Sequence, residues 1–242
     1  MTDRPMGPPA SSVGEGPPKV AIVIDDLGWQ TESARYFEQL QQPITMAVLP
    51  SRPYSKELYN RFKNKFEFIV HMPMEPKGYP GDDPGKSALM TSMTSAEVKE
   101  KLRSVLQTYP DVRGINNHMG SAFTADQDGM NNVMSVLAPR GMYYLDSKTS
   151  ASSVAVSTAR KHGVPVLTND VFLDHTNRDY STIRNQFEKT IQTARSNGFA
   201  IAIGHFQSTV TGKVLQDLMP RYADRGIEFV TLSRLVRRVS PN

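Results

Sequence analysis

Short apolar runs alternate along this chain with longer segments in which apolar residues recur at helical spacing. Eight runs are typical of buried strands: KVAIVI, ITMAVL, FEFIVH, RGINN, MYYLD, VPVLTN, FAIAIG and IEFVTL. The intervening segments are amphipathic, as in SAEVKEKLRSVLQTY, and Thr94 and Glu97 have the spacing of a helix-capping box. Alternating strands and helices predict a mostly parallel sheet that is covered by helices.

Glycines mark the predicted ends of several helices. Each one closes a helical pattern, leads directly into a strand and suits the left-handed position that ends a helix: Gly141, Gly163, Gly198 and Gly226. Seven or eight such units fit a barrel better than an open sheet. We therefore predict an α/β fold, a distorted (β/α) barrel of about seven to eight mostly parallel strands in a single domain over residues 19–242. The weakly apolar run near Gly114 suggests that the barrel is incomplete.

The first 18 residues differ from the rest of the chain. MTDRPMGPPASSVGEGPP is rich in Pro, Gly and Ser and has no periodic apolar pattern, so residues 1–18 are predicted to be a disordered tail or linker. No apolar run approaches the roughly 18 residues that a membrane-spanning helix needs. The N-terminus also lacks the pattern of a signal peptide.

Composition and charge exclude several classes of function. The 242 residues include no cysteine, which excludes disulfides, thiolate metal sites and a cysteine nucleophile. The net charge is +4, but the C-terminal arginines at 234, 237 and 238 fit a solvated helix face better than a nucleic-acid surface. We therefore expect no nucleic-acid partner. The motifs G-x-S-x-G and H-E-x-x-H are absent, and so are the phosphate-binding glycine loops, so we expect no nucleotide partner either.

Residues able to do chemistry fall at the C-terminal ends of the predicted strands. They include three of the five histidines: Asp25, Asp26, His71, Asn116, Asn117, His118, Asp146, Asp170, Asp174 and His205. In a parallel barrel these ends share one face, where active sites are built. Two readings of Asp25 and Asp26 stay open, namely a turn capped by aspartates or a polar pocket in which one carboxylate binds a cation.

The motifs at these strand ends resemble a known family. In order they are IVIDDLG, VHMPMEP, GINNHMGS, YYLDS, VFLD and AIGH, and together they are similar to the divergent polysaccharide deacetylases, a branch of the chitooligosaccharide deacetylase homology superfamily. The resemblance covers residues 19–236. It implies a distorted barrel of roughly seven strands that holds one divalent metal, usually zinc.

The resemblance also implies a metal site with an unusual feature. Asp25 matches the general base of the superfamily and Asp26 matches a metal ligand. The superfamily has two histidines four residues apart, of which His71 matches the first, whereas Glu75 stands at the position of the second. Either Glu75 is the third ligand, or His118 replaces the lost histidine and Glu75 supports the site. We prefer the set Asp26, His71 and His118.

The remaining roles follow from the same resemblance. His205 matches the general acid, and Asp146 or Asp174 would orient it. A group at the end of the fourth predicted strand would line the substrate and oxyanion site: Asn116, Asn117, Met119, Gly120 and Ser121.

The implied activity is metal-assisted removal of N-acetyl groups from a polysaccharide such as a chitin-like polymer or peptidoglycan. Because the second motif is altered, a catalytically weak or inactive glycan-binding or cell-envelope scaffolding module of the same fold is the alternative. A metal-dependent phosphoesterase is a further possibility, although the motifs show few basic phosphate clamps. The resemblance also implies an extracytoplasmic location, periplasmic or secreted.

Overall fold

The computed structural model describes residues 16–175 and 178–239. In this part of the chain the strands are β1 (Lys19–Leu27), β2 (Thr45–Val48), β3 (Glu67–Met74), β4 (Gly114–Met119), β5 (Tyr143–Asp146), β6 (Val166–Thr168), β7 (Val171–Phe172), β8 (Phe199–His205) and β9 (Glu228–Phe229). The helices are α1 (Ala34–Glu38), α2 (Ser55–Phe62), α3 (Ser95–Thr108), α4 (Gln127–Leu137), α5 (Ala155–Lys161), α6 (Tyr180–Asn197), α7 (Thr209–Ala223) and α8 (Leu232–Val239).

The strands form one curled sheet in which every ladder is parallel. The strand order is β6-β5-β4-β3-β2-β1-β8-β7, and β9 pairs with the start of β1. Within the described residues β6 and β7 are the two edges, so the barrel remains open between them. The predicted distorted (β/α) barrel in a single domain is confirmed.

Both faces of strand β1 are buried, which explains its uninterrupted apolar sequence. The residues from Val20 to Ile24 are fully inaccessible to solvent. Ile22 and Ile24 belong to the large core between the sheet and the helices, whereas Val23 belongs to a smaller core inside the barrel. Strands buried on both faces are typical of parallel sheets covered by helices.

Helix α8 closes one end of the barrel. Its Leu232 and Leu235 belong to the inner core. The backbone N–H of Leu232 donates to Oγ1 of Thr45 at 3.1 Å, and Thr45 is the first residue of β2. The helix therefore covers the N-terminal ends of the strands, which leaves the C-terminal ends available for a site.

The predicted helix signals are confirmed. Thr94 and Glu97 form a reciprocal capping box at the start of α3. The four predicted glycines all have positive φ, and Gly198, with φ of 83°, turns the chain from α6 into β8 within a single residue.

One detail of the strand prediction is wrong, and the reason given for another is wrong. IEFVTL was expected to be a strand over residues 227–232, but only Glu228–Phe229 pairs, because β2 already occupies the rest of that edge of β1. The barrel is incomplete, as predicted, but it is open between β6 and β7 and not at the weak run near Gly114, since β4 lies between β3 and β5. A side chain at Gly114 would come within 2.5 Å of the carbonyl oxygen of Tyr143, so the glycine permits this close pairing.

Most of the predicted N-terminal tail lies outside the described residues. Of its last three residues, Pro18 accepts a hydrogen bond from the N–H of Glu228 at 2.9 Å. Strand β1 begins at Lys19, where the folded domain was expected to begin. Among the described helices none has the length and apolar character needed to cross a bilayer.

Candidate metal centre and active site

The C-terminal ends of four strands bring the candidate residues together. Asp25 lies opposite His205 in the pairing of β1 with β8. His71 lies opposite Asn116 in the pairing of β3 with β4, and His118 follows two positions along the same ladder, opposite Pro73. Residues almost two hundred positions apart in the sequence thus share one end of the sheet, as expected for a parallel barrel.

A bulge in β1 brings two consecutive carboxylates to the same site. Successive side chains of a regular strand point to opposite faces. The register of β1 with β2 shifts between Ile24 and Leu27, where three steps along β1 match two along β2. Within this bulge Asp26 has φ of 61°, the left-handed region that non-glycine residues rarely adopt. Such strain costs about 1–3 kcal/mol and is concentrated at functional sites.

Asp26, His71 and His118 form a candidate metal centre. Oδ1 of Asp26 lies 3.0 Å from Nδ1 of His118 and 3.3 Å from Nε2 of His71. The two imidazole nitrogens are 3.1 Å apart. One ligand atom from each of the three residues fits within 4.8 Å of the other two.

The chemistry of these three atoms fits a divalent cation. Oδ1 of Asp26 is buried and has no hydrogen-bond partner of good geometry, although two imidazoles face it. One carboxylate oxygen and two imidazole nitrogens are ligands that zinc binds in catalytic sites. A cation bound among these atoms would give the buried Oδ1 of Asp26 a partner and so offset the cost of its desolvation.

The electrostatics of the centre also suit a cation. Burial alone would raise the pKa of Asp26, but the imidazoles of His118 and His71 outweigh it and hold that pKa well below its usual value. Burial lowers the pKa of His118, which favours the neutral ring that a metal needs. The site therefore favours the charged carboxylate of Asp26 and, at His118, an available imidazole lone pair.

Glu75, the alternative third ligand, lies apart from this cluster. Its Oε2 accepts hydrogen bonds from the N–H and hydroxyl of Thr91 at 2.6 and 2.7 Å. Its carbonyl oxygen accepts from the N–H groups of Ala122 and Phe123, both at 3.1 Å. Glu75 thus joins the loop that follows β3 to the loop that follows β4.

Asn116 connects His71 to Asp25. The Oδ1 atom of Asn116 lies 2.9 Å from Nδ1 of His71. An amide oxygen only accepts, so Nδ1 of His71 carries the hydrogen and Nε2 of the same ring is free to face Asp26. The Nδ2 atom of Asn116 lies 3.1 and 3.0 Å from the two oxygens of Asp25. Asn116 therefore fixes both the tautomer of the histidine and the position of the carboxylate.

Asp25 is buried beside the metal centre without belonging to it. Its Oδ2 lies 3.5 Å from Nδ1 of His71, on the ring edge away from Asp26. Burial raises the pKa of Asp25, and the histidines at 71 and 205 oppose this shift. A carboxylate with a raised pKa is a better proton acceptor than an ordinary aspartate.

Asp174 orients His205. Its Oδ1 is 2.6 Å from Nδ1 of His205, and its Oδ2 accepts from the backbone N–H of His205 at 3.0 Å and from the hydroxyl of Thr211 at 2.6 Å. Burial alone would lower the pKa of His205. The hydrogen bond and charge of Asp174, with smaller contributions from Asp26 and Asp25, raise that pKa to about 9.

Asp146, the other candidate for that role, has different partners. Its oxygens accept from the backbone N–H of Lys148 and the hydroxyl of Ser153, both at 2.8 Å. The carboxylate thus stabilises the loop that follows β5. Asp170, at another strand end, accepts from the N–H of Ile201 at 2.9 Å.

The residues expected at the oxyanion site form a tight turn at the end of β4. Asn117 is buried, and its Nδ2 donates to the carbonyl of Met119 at 2.8 Å. Met119 and Gly120 have φ of 52° and 86°. Ser121 accepts a hydrogen bond from the N–H of Lys77 at 2.9 Å. The side chain of Asn117 therefore holds the turn, and the backbone of the turn is the part that lies beside His118.

Gln207 is a contributor that the sequence reasoning missed. Its Nε2 donates to Oδ2 of Asp26 at 3.3 Å, while its Oε1 is buried without a hydrogen-bond partner. This contact holds the second carboxylate oxygen and directs Oδ1 of Asp26 toward the histidines. Its position two residues after His205 is the one signal in the sequence that could have indicated it.

A large cavity lies outside the cluster of candidate ligands. It has a volume of about 1020 Å³, is located between α2 and α3, and includes Arg52, Met93 and Val105 in its lining. None of the three candidate metal ligands contributes to it. We place the chemistry at the strand ends, because the cavity contains no comparable cluster of ligand atoms among the described residues.

Known proteins resemble this chain over most of its length. The family model described as divergent polysaccharide deacetylase matches residues 22–236. The uncharacterized protein YibQ of Escherichia coli is 37% identical over 202 residues, which cover 83% of this chain and 62% of YibQ. The chain thus spans less than two thirds of the length of this curated relative.

Solved structures share the fold. The uncharacterized protein ATU2773 of Agrobacterium tumefaciens matches with a TM-score of 0.84 and 26% identity, over 93% of this chain and 92% of that one. The catalytic domain of a peptidoglycan N-acetylglucosamine deacetylase from Eubacterium rectale matches with a TM-score of 0.51 and 13% identity, over 92% of each chain. The second likeness concerns the fold alone. Since the family model spans nearly the whole described domain, the chain belongs to the divergent polysaccharide deacetylase family.

Proposed function

We propose that this chain is a metal-dependent hydrolase that removes N-acetyl groups from a polysaccharide. The observation that carries the proposal is the convergence of Asp26, His71 and His118 beside a separate buried carboxylate, Asp25, and a cationic histidine, His205. Amide hydrolysis needs a base for water, an acid for the leaving amine and stabilisation of an oxyanion. The family description supports a polysaccharide as the substrate class.

In this proposal the chain divides the proton transfers between two residues. A zinc ion held by three protein ligands would polarise the acetyl carbonyl and lower the pKa of its water to about 7. Asp25, held by two N–H contacts from Asn116, accepts the proton of the attacking water. His205, charged because of Asp174, donates a proton to the nitrogen of the leaving amine.

The turn from Met119 to Ser121 is the proposed oxyanion site. Met119 and Gly120 have left-handed backbone conformations, and they lie at the end of the ladder between β3 and β4. Their backbone groups therefore turn away from β3, next to His118. Asn117 and Thr149 both donate to the carbonyl oxygen of Met119, at 2.8 Å each, which fixes the turn before substrate binds. Losing one preorganised oxyanion donor typically costs about 100-fold to 1000-fold in rate.

We further propose that the substrate is a chitin-like polymer or peptidoglycan and that the protein acts outside the cytoplasm. The family description and the named activity of the Eubacterium rectale enzyme support an envelope glycan. Such polymers lie outside the cytoplasmic membrane, so the location follows from the substrate.

A glycan-binding module of the same fold is the second candidate. The observation that favours it is the altered second motif, in which Glu75 bonds to Thr91 instead of reaching the metal centre. In such a module the centre would hold a metal and bind the acetamido group without turnover. Acetate release separates the two candidates.

The test combines metal analysis with a substrate screen. We expect about one zinc per chain by elemental analysis and metal-dependent acetate release from chitin oligosaccharides or peptidoglycan. Zinc binding without acetate release would support the glycan-binding module instead. Hydrolysis of a generic phosphoester alone would indicate a phosphoesterase, and the absence of zinc even after its addition would overturn the hydrolytic mechanism.

The pH profile tests the role of Asp174. Since the acid must be protonated, the alkaline limb of the profile should fall as the pH rises through the pKa of His205, about 9. Asp174→Asn removes the charge that raises this pKa, so the alkaline limb should move toward the ordinary value near 6.5 and kcat at pH 8 should fall about 30-fold. The measurement is kcat between pH 6 and pH 10.

Asp146→Asn is the matched control. It neutralises a buried carboxylate at a neighbouring strand end whose hydrogen bonds go to Lys148 and Ser153. The alkaline limb should keep its position in this variant. If Asp146→Asn moved the limb and Asp174→Asn did not, the assignment of Asp174 as the orienting residue would be wrong.

A further inference from the structure

Trp29, the chain's one tryptophan, is exposed to solvent beside the candidate active site. Its residue surface is 44% accessible, which is unusual for so large an apolar side chain. It lies three residues after Asp26, so its Cα is at most about 11 Å from the Cα of that ligand. A polar segment, Gln30, Thr31 and Glu32, follows it in the sequence.

A guanidinium group holds the tryptophan ring. Cζ of Arg52 lies 3.8 Å from the ring centroid, a cation–π contact. Nη2 of Arg52 donates to the carbonyl of Pro84 at 3.3 Å, which ties this group to the loop after β3. Arg52 therefore joins loops from three adjacent strands and fixes the plane of the ring.

The backbone beneath the ring is equally restricted. Gly28 has φ of 141°, and a Cβ at this position would lie 2.4 Å from Oγ of Ser55 and 3.0 Å from Cβ of Arg52. Its carbonyl accepts from the N–H of Tyr54 at 3.0 Å. Trp29 is thus presented by a turn with little freedom, which reduces the entropy lost when a ligand stacks on it.

Arg52 also links this surface to the metal centre. Burial lowers the pKa of Arg52, and the charges of Asp26 and Asp83 oppose that shift. The loop that carries Arg52 also pairs with β1 directly after Asp26, since the backbone N–H of Leu49 donates to the carbonyl oxygen of Leu27 at 2.9 Å. The ring and its guanidinium therefore border the site where an acetyl group would be hydrolysed.

We propose that Trp29, braced by Arg52, is the binding subsite for the sugar ring next to the one whose acetamido group enters the active site. This inference rests on the proposed function. Pyranose rings present a face of C–H groups, and an exposed, fixed aromatic plane offers a matching apolar surface. A polymer would thereby gain a contact that a single sugar cannot make, and the subsite would select oligosaccharides over monosaccharides.

The single tryptophan makes the subsite directly observable. The test uses the zinc-loaded full chain carrying Asp25→Asn, so that the probe is not consumed, and the probes are N-acetylglucosamine and its pentamer. We expect the pentamer to change tryptophan fluorescence saturably and to bind at least about tenfold more tightly than the monomer. The absence of pentamer binding, or binding without any fluorescence change, would overturn the proposal.

Substitutions at the ring give an independent measurement by calorimetry. In the same background Trp29→Ala should weaken pentamer binding at least about tenfold, and Trp29→Phe should restore part of it, because a smaller aromatic plane remains. Tyr54→Ala, which removes a neighbouring side chain that is 40% exposed, is the matched control and should change Kd less than twofold. Zinc content and Tm verify folding. An equal loss in Tyr54→Ala would contradict the assignment to Trp29.

Failure of the subsite and failure of the proposed function give different results. If the pentamer binds through Trp29 but the wild-type chain releases no acetate, the subsite stands and the hydrolytic function fails. If the wild-type chain releases acetate but Trp29→Ala binds the pentamer as before, the function stands and the subsite is wrong.

Discussion

Asp25→Asn should abolish hydrolysis while the protein keeps its metal. The side chain is buried, receives N–H contacts from Asn116 at both oxygens, and is not among the three residues whose ligand atoms converge. An asparagine has the same shape but cannot accept the proton of water. Loss of a general base typically costs about 100-fold to 10,000-fold, so we expect kcat/KM for acetate release to fall by about 1000-fold or more with zinc content unchanged.

The matched control for this experiment is Asp170→Asn. Asp170 also follows a strand, but it is exposed and its carboxylate accepts from the backbone N–H of Ile201. The activity of the Asp170→Asn variant should stay close to that of the wild type. A loss of zinc in Asp25→Asn would identify Asp25 as a ligand, and activity within tenfold of the wild type would mean that another group is the base.

The sequence was informative about the fold because parallel strands buried on both faces have continuous apolar runs. Val20 to Ile24 is such a run, and it forms the middle of β1, which lies between β2 and β8 in the sheet. The same topology explains why the polar residues at strand ends were found together, since all C-terminal ends lie at one side of the barrel. Neither inference required knowledge of side-chain contacts.

Other features depended on geometry that residue types do not specify. Glu75 follows His71 at an even spacing, which in a regular strand would place both on one face. Strand β3 ends at Met74, however, and Glu75 bonds to Thr91. His118 reaches the centre because β4 extends beyond His71 in the register of the sheet. Register is a tertiary property, so the sequence left the third ligand open.

The position of Asp26 shows a similar limit. Two adjacent aspartates in a regular strand would face opposite sides, and the motif alone does not reveal the one-residue bulge that turns Asp26 into the site. Asp146 and Asp174 could likewise not be separated, since both follow predicted strands. Asp174 reaches His205 because it lies in the loop after β7. Strand β7 has only two residues, and the apolar pattern did not indicate it.

His118→Ala should remove most of the affinity for zinc, whereas Glu75→Gln should retain it. Loss of a group that merely supports a ligand costs about 10-fold to 100-fold in metal affinity, so loss of one of three ligands should cost at least about 100-fold. The measurement is Kd from competition with a chelator, and the second readout is Tm with and without zinc. Because a ligand at 100 times its Kd stabilises the folded state by about 2.7 kcal/mol, the zinc-dependent rise in Tm should nearly disappear in His118→Ala.

Glu75→Gln is informative because it isolates the charge of Glu75. Glutamine keeps the length of the side chain and one oxygen that can accept from Thr91, so the loop contacts should survive the exchange. If His118 is the third ligand, the zinc affinity of Glu75→Gln should fall less than tenfold. If that variant instead lost zinc while His118→Ala retained it, the glutamate would have to leave Thr91 to reach the cation. The centre would then form only after the loop beyond β3 had rearranged.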